Sequence, residues 1–278
     1  MLKRLLGGLL LATIAAVTPA RAQQSTPLRL AVHPYASTLA LINTHRPLQQ
    51  YLGDKLGRPV EFYTAPSFDG FIDTLMSGGY DIVISPPHFA VMAMEKHYVP
   101  LVRYKTMLEP LLLVRANSAL KLPEDFRGKR IAMADRTAFI RLVTVKWLAD
   151  HGLTAGRDYE IVERPTHGAT IAATAAGEVD AGLATITALK QLPPDLQQQV
   201  RVIATGQRFP HLFTMAHERL GTQVVDRLRK LLLAFPETPD GRQFMEKSGF
   251  IGYEPIGDDD LRALAPYVAM YRSLETKP

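Results

Sequence analysis

Apolar and polar positions along the chain follow two rhythms. Short runs alternate with a period of two, and between them apolar residues recur every three or four positions. Residues 28–33 (LRLAVH), 60–63, 81–85 (DIVIS), 130–134, 159–162, 180–184 and 200–204 (VRVIA) read as strands, with one more at 212–215. A first helix is expected from Thr44 and Pro47 through Tyr51, Leu52 and Leu56 to a stop at Gly57. Ser67 is placed to cap a second, which carries Phe68, Phe71, Ile72 and Leu75 and ends at Gly78 and Gly79. Pro86 and Pro87 open a third, with Ala90, Val91 and Met94 inside. Asp135 can cap a fourth, whose buried stripe is Phe139, Leu142, Val143 and Trp147. A fifth spans 167–176, and three amphipathic helices follow the last strand.

Strands alternating with helices of this length predict an α/β protein with largely parallel sheets. The elements fall into two units. The economical arrangement is two lobes joined by two chain crossings, near 111–114 and near 204–210. Lobe 1 is then discontinuous, 23–111 with 208–278, and lobe 2 is 112–207. In such folds a ligand sits at the carboxyl ends of the strands, in the crevice between lobes.

The N-terminus breaks the rhythm. Lys3 and Arg4 precede an apolar run over 5–17, and Ala20-Arg21-Ala22 has the small-residue spacing of a cleavage site, so 1–22 is expected to be a cleaved signal peptide. Its loss takes three cations from a formal charge of +5 and leaves +2, too little for a polyanion-binding surface. The chain contains no cysteine, which excludes disulfides, thiolate metal sites, a thiol nucleophile and a lipid anchor on cysteine. The expected product is an exported, freely diffusing monomer in the periplasm.

Candidate chemistry gathers at the strand ends: His33-Pro34-Tyr35, 64–68, Ser85-Pro86-Pro87-His88, Asp135-Arg136-Thr137, Thr166-His167 and Thr185. Several stand where a loop becomes a helix, so free backbone N–H groups face the crevice and suit an anion. Ser67, Ser85, Asp135, Thr166 and Thr185 can equally serve as caps. Arg136 could grip an oxyanion through two parallel hydrogen bonds, whereas Arg141 falls off the apolar stripe and is expected in solvent. Catalytic signatures are missing: no Gly-x-Ser-x-Gly, no phosphate-binding loop and no dinucleotide fingerprint. His211 and His217 lack paired metal spacing, Asp258, Asp259 and Asp260 precede a helix as capping charge, and Trp147 reads as core. No enzyme activity, cofactor, metal or nucleic-acid partner is indicated.

These segments resemble the type II periplasmic solute-binding proteins. The resemblance is carried by LRLAVHPY, by YLGDKLGRPVEFYTAPSFDGFIDTLMSGGYDIVISPPHF, by LPEDFRGKRIAMAD and by THGATIAATAAGEVDAGLA. Within that class the chain is similar to the phosphate/phosphite/phosphonate-binding branch of ABC-transporter receptors. The resemblance implies a ligand contact from Phe68, where the family carries a tyrosine, and others from Ser85 and His167. It also implies an anion cradle where this chain reads Arg136-Thr137-Ala138-Phe139; Thr137 is retained, while two serines and a glycine of the family run are not. Thr185 falls near the polar residue after "VDAG".

The function expected from this resemblance is capture of a small anion, phosphonate-like or another oxyanion, between Tyr35, Phe68 and Ser85 on one lobe and Arg136, Thr137, His167 and Thr185 on the other. The closed form would dock on an inner-membrane ABC permease. A second possibility is docking on the periplasmic domain of a sensor histidine kinase.

Overall fold

The computed structural model describes residues 26–275. The expected signal peptide lies outside the described residues. Strands β1 (Leu28–Val32), β2 (Val60–Tyr63), β3 (Ile82–Ser85), β4 (Tyr98–Tyr104), β10 (Phe213–His217) and β11 (Tyr253–Glu254) form one six-stranded sheet, in the order β11-β4-β10-β3-β1-β2. Strands β5 (Leu111–Arg115), β6 (Arg130–Met133), β7 (Glu160–Glu163), β8 (Ala181–Ala184) and β9 (Val200–Ala204) form a second, ordered β7-β6-β8-β5-β9. The molecule is an α/β protein of two lobes.

Both sheets are mixed, which corrects the expectation of largely parallel sheets. β1, β2 and β3 run parallel, as do β6, β7 and β8. The antiparallel strands β10 and β5 are each the first strand after a crossing. A chain entering a lobe from its neighbour starts at the edge where the parallel strands end, so it must run the other way.

The crossings themselves occupy 105–110 and 205–212, which places β5 wholly inside the second lobe rather than at a junction. The two segments are paired. Leu108 N–H donates to Phe209 O at 2.8 Å, and Phe209 N–H donates back to Leu108 O at 2.9 Å.

The helices lie where the period-3.6 runs predict, apart from an earlier start of the first and two short additions after β8. Helix α1 (Thr38–Leu56) starts six residues before Thr44, because Ser37 Oγ accepts from Ala40 N–H and Leu41 is already buried. Pro47 is inside the helix, and burial of Leu41, Leu48 and Leu52 offsets the one hydrogen bond it forfeits. β4 had no counterpart in the pattern, because Pro100 interrupts it. That proline faces the register shift between Thr214 and Met215 of β10, where a missing N–H costs least.

Helices α2 (Phe68–Met76), α3 (Pro87–Met94), α4 (Phe139–Asp150) and α5 (His167–Ala175) each follow a parallel strand. Ser67 and Thr166 cap α2 and α5 as expected. The short α6 (Ile186–Lys190), capped by Thr185, and α7 (Pro194–Gln198) follow β8. α8 (Thr222–Ala234) and α9 (Pro239–Ser248) cover the first sheet, and α10 (Asp258–Glu275) packs on both α3 and α4. Tyr267 of α10 meets Phe139 and Phe209 edge-on, at 5.2 and 5.1 Å between ring centres. One apolar cluster therefore runs from the first sheet past the crossings into the second.

Position α5 is set by a glycine. A Cβ on Gly182 of β8 would collide with Thr174 Oγ1 and lie 2.7 Å from Thr170 O. Thr170 Oγ1 donates to Leu183 O at 2.7 Å across the same contact, which seats the helix on the strand.

Candidate functional site

The parallel strands of both sheets point their carboxyl ends at a common cavity, and the antiparallel strands start there. Its wall takes His33 and Tyr35 after β1, Phe68 after β2, Pro86 and Pro87 after β3 and Ala138, Phe139 and Ile140 after β6. His167 after β7 and Thr185, Thr187, Ala188 and Gln191 after β8 complete the second-lobe side. Leu108, His211 and Leu212 come from the crossings, and Phe250 from the loop before β11. The cavity volume is about 60 Å³, the scale of a small ion or a few waters.

Three imidazoles meet in it. Burial holds His33 well below its ordinary 6.5, with His167 and His211 pushing the same way. Burial alone brings His167 to about 4 and His211 to about 3. All three are neutral at pH 7. Leu212 N–H donates to His211 Nδ1 at 2.8 Å, which leaves the His211 proton on Nε2. Burial raises the Tyr35 hydroxyl, so it remains a donor.

Buried polar atoms in a folded protein are nearly always paired. Here His33 Nδ1, His167 Nδ1 and the Tyr35 hydroxyl are buried without a partner, and all three residues line the one cavity. Thr185 Oγ1 shares a 2.8 Å hydrogen bond with Thr187 Oγ1 and accepts from Ala188 N–H at 3.2 Å. It is both the cap of α6 and part of the wall.

Of the residues singled out from sequence, Tyr35, Phe68, His167 and Thr185 come together. Ser85 stands directly behind the wall, fully buried, with its Oγ unpartnered. Thr137 and Arg136 do not join them. The Thr137 N–H and hydroxyl both donate to Asp135 Oδ1, and its carbonyl accepts from His88 Nε2 at 3.0 Å across the lobe boundary. Asp135 thus turns the loop instead of capping α4, whose first residue is Phe139. Arg136 is exposed and borders a separate depression with Asp69 and Asp73 of α2; it makes no hydrogen bond or ion pair among the described residues.

Arg141, expected in solvent, is instead 13% exposed and donates to Ala134 O at 2.9 Å and to Glu163 at 2.7 Å. Ile140, Thr144 and Leu148 share the buried face of α4, which leaves Trp147 half-buried at its edge beside His151.

His211, Phe139, Gln191 and Phe250 also line the cavity, none of them expected as a ligand contact from sequence. His33 was among the strand-end residues but not in the ligand set. The strand-end rule covers His33, which follows β1 as Phe68 follows β2. His211 and Leu108 precede antiparallel strands, an edge that an all-parallel sheet does not have.

Outside the cavity, the cleft widens into a mouth of about 630 Å³. Pro34, Ser37, Thr38, Pro66 and Ser67 border it on the first lobe, and Asp135, Glu163, Arg164 and Thr166 on the second. Phe68 belongs to both spaces and divides them.

Residues 30–261 match the family of phosphonate ABC-transporter periplasmic substrate-binding proteins. Among solved structures, the chain is similar to the binding protein component of an ABC phosphonate transporter from Pseudomonas aeruginosa: 16% identity, TM-score 0.76, 88% of each chain covered. It is also similar to PhnD1 from Prochlorococcus marinus in complex with methylphosphonate: 13% identity, TM-score 0.77, 90% of this chain and 98% of that one. The periplasmic aliphatic sulphonate binding protein SsuA from Escherichia coli aligns at 15% identity and TM-score 0.64, over 91% of this chain and 94% of that one. At these identities the structures establish the type II periplasmic binding-protein fold, and the family match carries the assignment: the chain belongs to the phosphonate family of periplasmic substrate-binding proteins of ABC transporters.

Proposed function

We propose that the cavity between the lobes is the substrate site, and that it takes a small anion through uncharged donors. The observation that carries this reading is the set of three buried, unpartnered polar atoms, on His33, Tyr35 and His167, around one space shared by both lobes. Phe68 and Thr185 complete the contacts, with His211 Nε2–H as a further donor. Backbone N–H groups at the starts of α2, α4 and α5 add positive potential on the same side. Ser85 supports the wall from behind. Arg136 and Thr137 stay outside the first contact shell: one is free in solvent, and the other's hydroxyl is spent on Asp135.

A ligand touching both lobes favours the closed arrangement over the open one by its differential contacts. The closed receptor, a monomer released by cleavage after Ala22, then docks on the membrane permease. Its role is delivery, as in the family of transport receptors to which the chain belongs. The family is one of transport receptors, which favours the permease over a sensor kinase as the docking partner.

A thermal-shift screen of phosphonates, phosphite, phosphate, sulfonates and small carboxylates tests the site, because a ligand of the native state raises its melting temperature. At least one should raise the Tm of the wild type and leave a Tyr35→Phe, His167→Ala double variant nearly unmoved. A shift of equal size in both proteins would overturn the assignment, as would no shift with any compound.

A further inference from the structure

Among the described residues that line the cavity there is no Lys, Arg, Asp or Glu. The positive potential a ligand meets comes from four helix starts, of α2, α3, α4 and α5, which place Phe68, Pro87, Phe139 and His167 on the wall. Each start is worth roughly half a charge at best and falls off within a turn, and Pro87 has no N–H to offer. The unpartnered atoms of His33, Tyr35 and His167 supply dipoles, not charge. This is enough to hold one negative charge. A dianion pays a desolvation cost roughly four times larger, by the charge-squared dependence of solvation, and finds no cation here.

The rest of the wall is apolar. Phe68, Leu108, Phe139, Ile140, Leu212 and Phe250 offer a ligand only carbon surface, from which a bare inorganic ion gains nothing. An ammonium group would be buried without a carboxylate to meet it.

We propose that the cavity selects a singly charged organic acid bearing an apolar substituent and no amino group, and excludes inorganic dianions and zwitterions. The proposal rests on the reading of this cavity as the substrate site, and narrows it.

Sulfonates keep one negative charge at any working pH, so they vary the body of the ligand at constant charge. Titration calorimetry at pH 7.5 would compare methanesulfonate, butane-1-sulfonate and benzenesulfonate with taurine, sulfate and inorganic phosphate. Acetate, hexanoate and the monomethyl ester of phenylphosphonate extend the series to other monoanionic head groups. Within the preferred head group, the apolar-bodied acid should bind roughly ten- to fiftyfold tighter than the bare one, from the buried methylene or ring area. Taurine, sulfate and phosphate should bind at least about tenfold more weakly than that acid.

Sulfate, phosphate or taurine binding as tightly as the apolar acids would overturn this selectivity and leave the substrate site standing. Silence from every probe would remove both. A gain-of-function variant gives a second readout. Gln191 lines the cavity and is otherwise exposed, so Gln191→Lys should fold normally and add the missing cation. It should narrow the gap between sulfate and butane-1-sulfonate, and an unchanged gap would count against charge as the selecting principle.

Discussion

The cleft consists of two spaces that differ in where charge is allowed. The mouth carries Asp135, Glu163 and Arg164, each occupied with a neighbour: Asp135 with Thr137, Glu163 with Arg141, Arg164 with Glu178. The lining of the chamber behind Phe68 carries none, and its His33 Nδ1, His167 Nδ1 and Tyr35 hydroxyl are unpaired. A satisfied charged group has little left to give a ligand, whereas a buried unpaired donor gains most of a hydrogen bond when one arrives. The proposed site therefore assigns recognition to the uncharged chamber and the approach to the mouth.

The largest expected effect comes from breaking the chamber from behind. Gly182→Val would push a side chain into Thr170 and Thr174 and displace α5, taking His167 with it. Chemical denaturation should show a loss on the order of 3 kcal/mol, with ligand response lost in whatever remains folded. A variant of wild-type stability would mean that α5 is not seated by this contact.

Acid should act on the chamber and the core beside it before it acts on the mouth. Burial lowers His45 to about 4 and His88 to about 3, alongside the three chamber imidazoles. Each folded-state value is below the unfolded 6.5, so between these limits the unfolded chain binds protons that the folded one refuses. Stability is therefore full above about 6.5 and falls as pH drops toward 4. Melting curves from pH 7.5 to 4.5 would show it, and a flat Tm across that range would contradict neutral, buried imidazoles.

The smallest effect should come from the mouth. Arg164→Ala removes a partly exposed pair with Glu178, of the kind that contributes about 0–1 kcal/mol. Ligand affinity should stay within about threefold of wild type, mainly through a slower on-rate at low salt. A hundredfold loss would transfer recognition to the mouth and erase the distinction drawn above.

Much of this was legible in the chain. Ser67 and Thr166 announce the starts of α2 and α5, and the strand-end rule places Tyr35, Phe68, His167 and Thr185 on one side of the fold. What escaped has local causes. Pro47 reads as part of a helix start, yet it sits half-buried inside α1, and Pro100 breaks the period-two pattern where it faces a register shift. Arg136 looked suited to an anion because its neighbours in sequence start a helix. Its placement depends on a loop held locally by Asp135 and on His88 reaching across from the other lobe, a contact between residues 49 apart in the chain. His211 escaped for the same reason as β10: strand direction is a tertiary property that periodicity does not encode.

The reciprocal bonds between Leu108 and Phe209 set the kinematics of the receptor. Two independent tethers would let the lobes rotate, slide and twist against each other. Two that are bonded to one another, and flanked by the Tyr267, Phe139 and Phe209 rings, share a single axle. Hinging at this pair keeps both bonds, whereas sliding one tether past the other would break them.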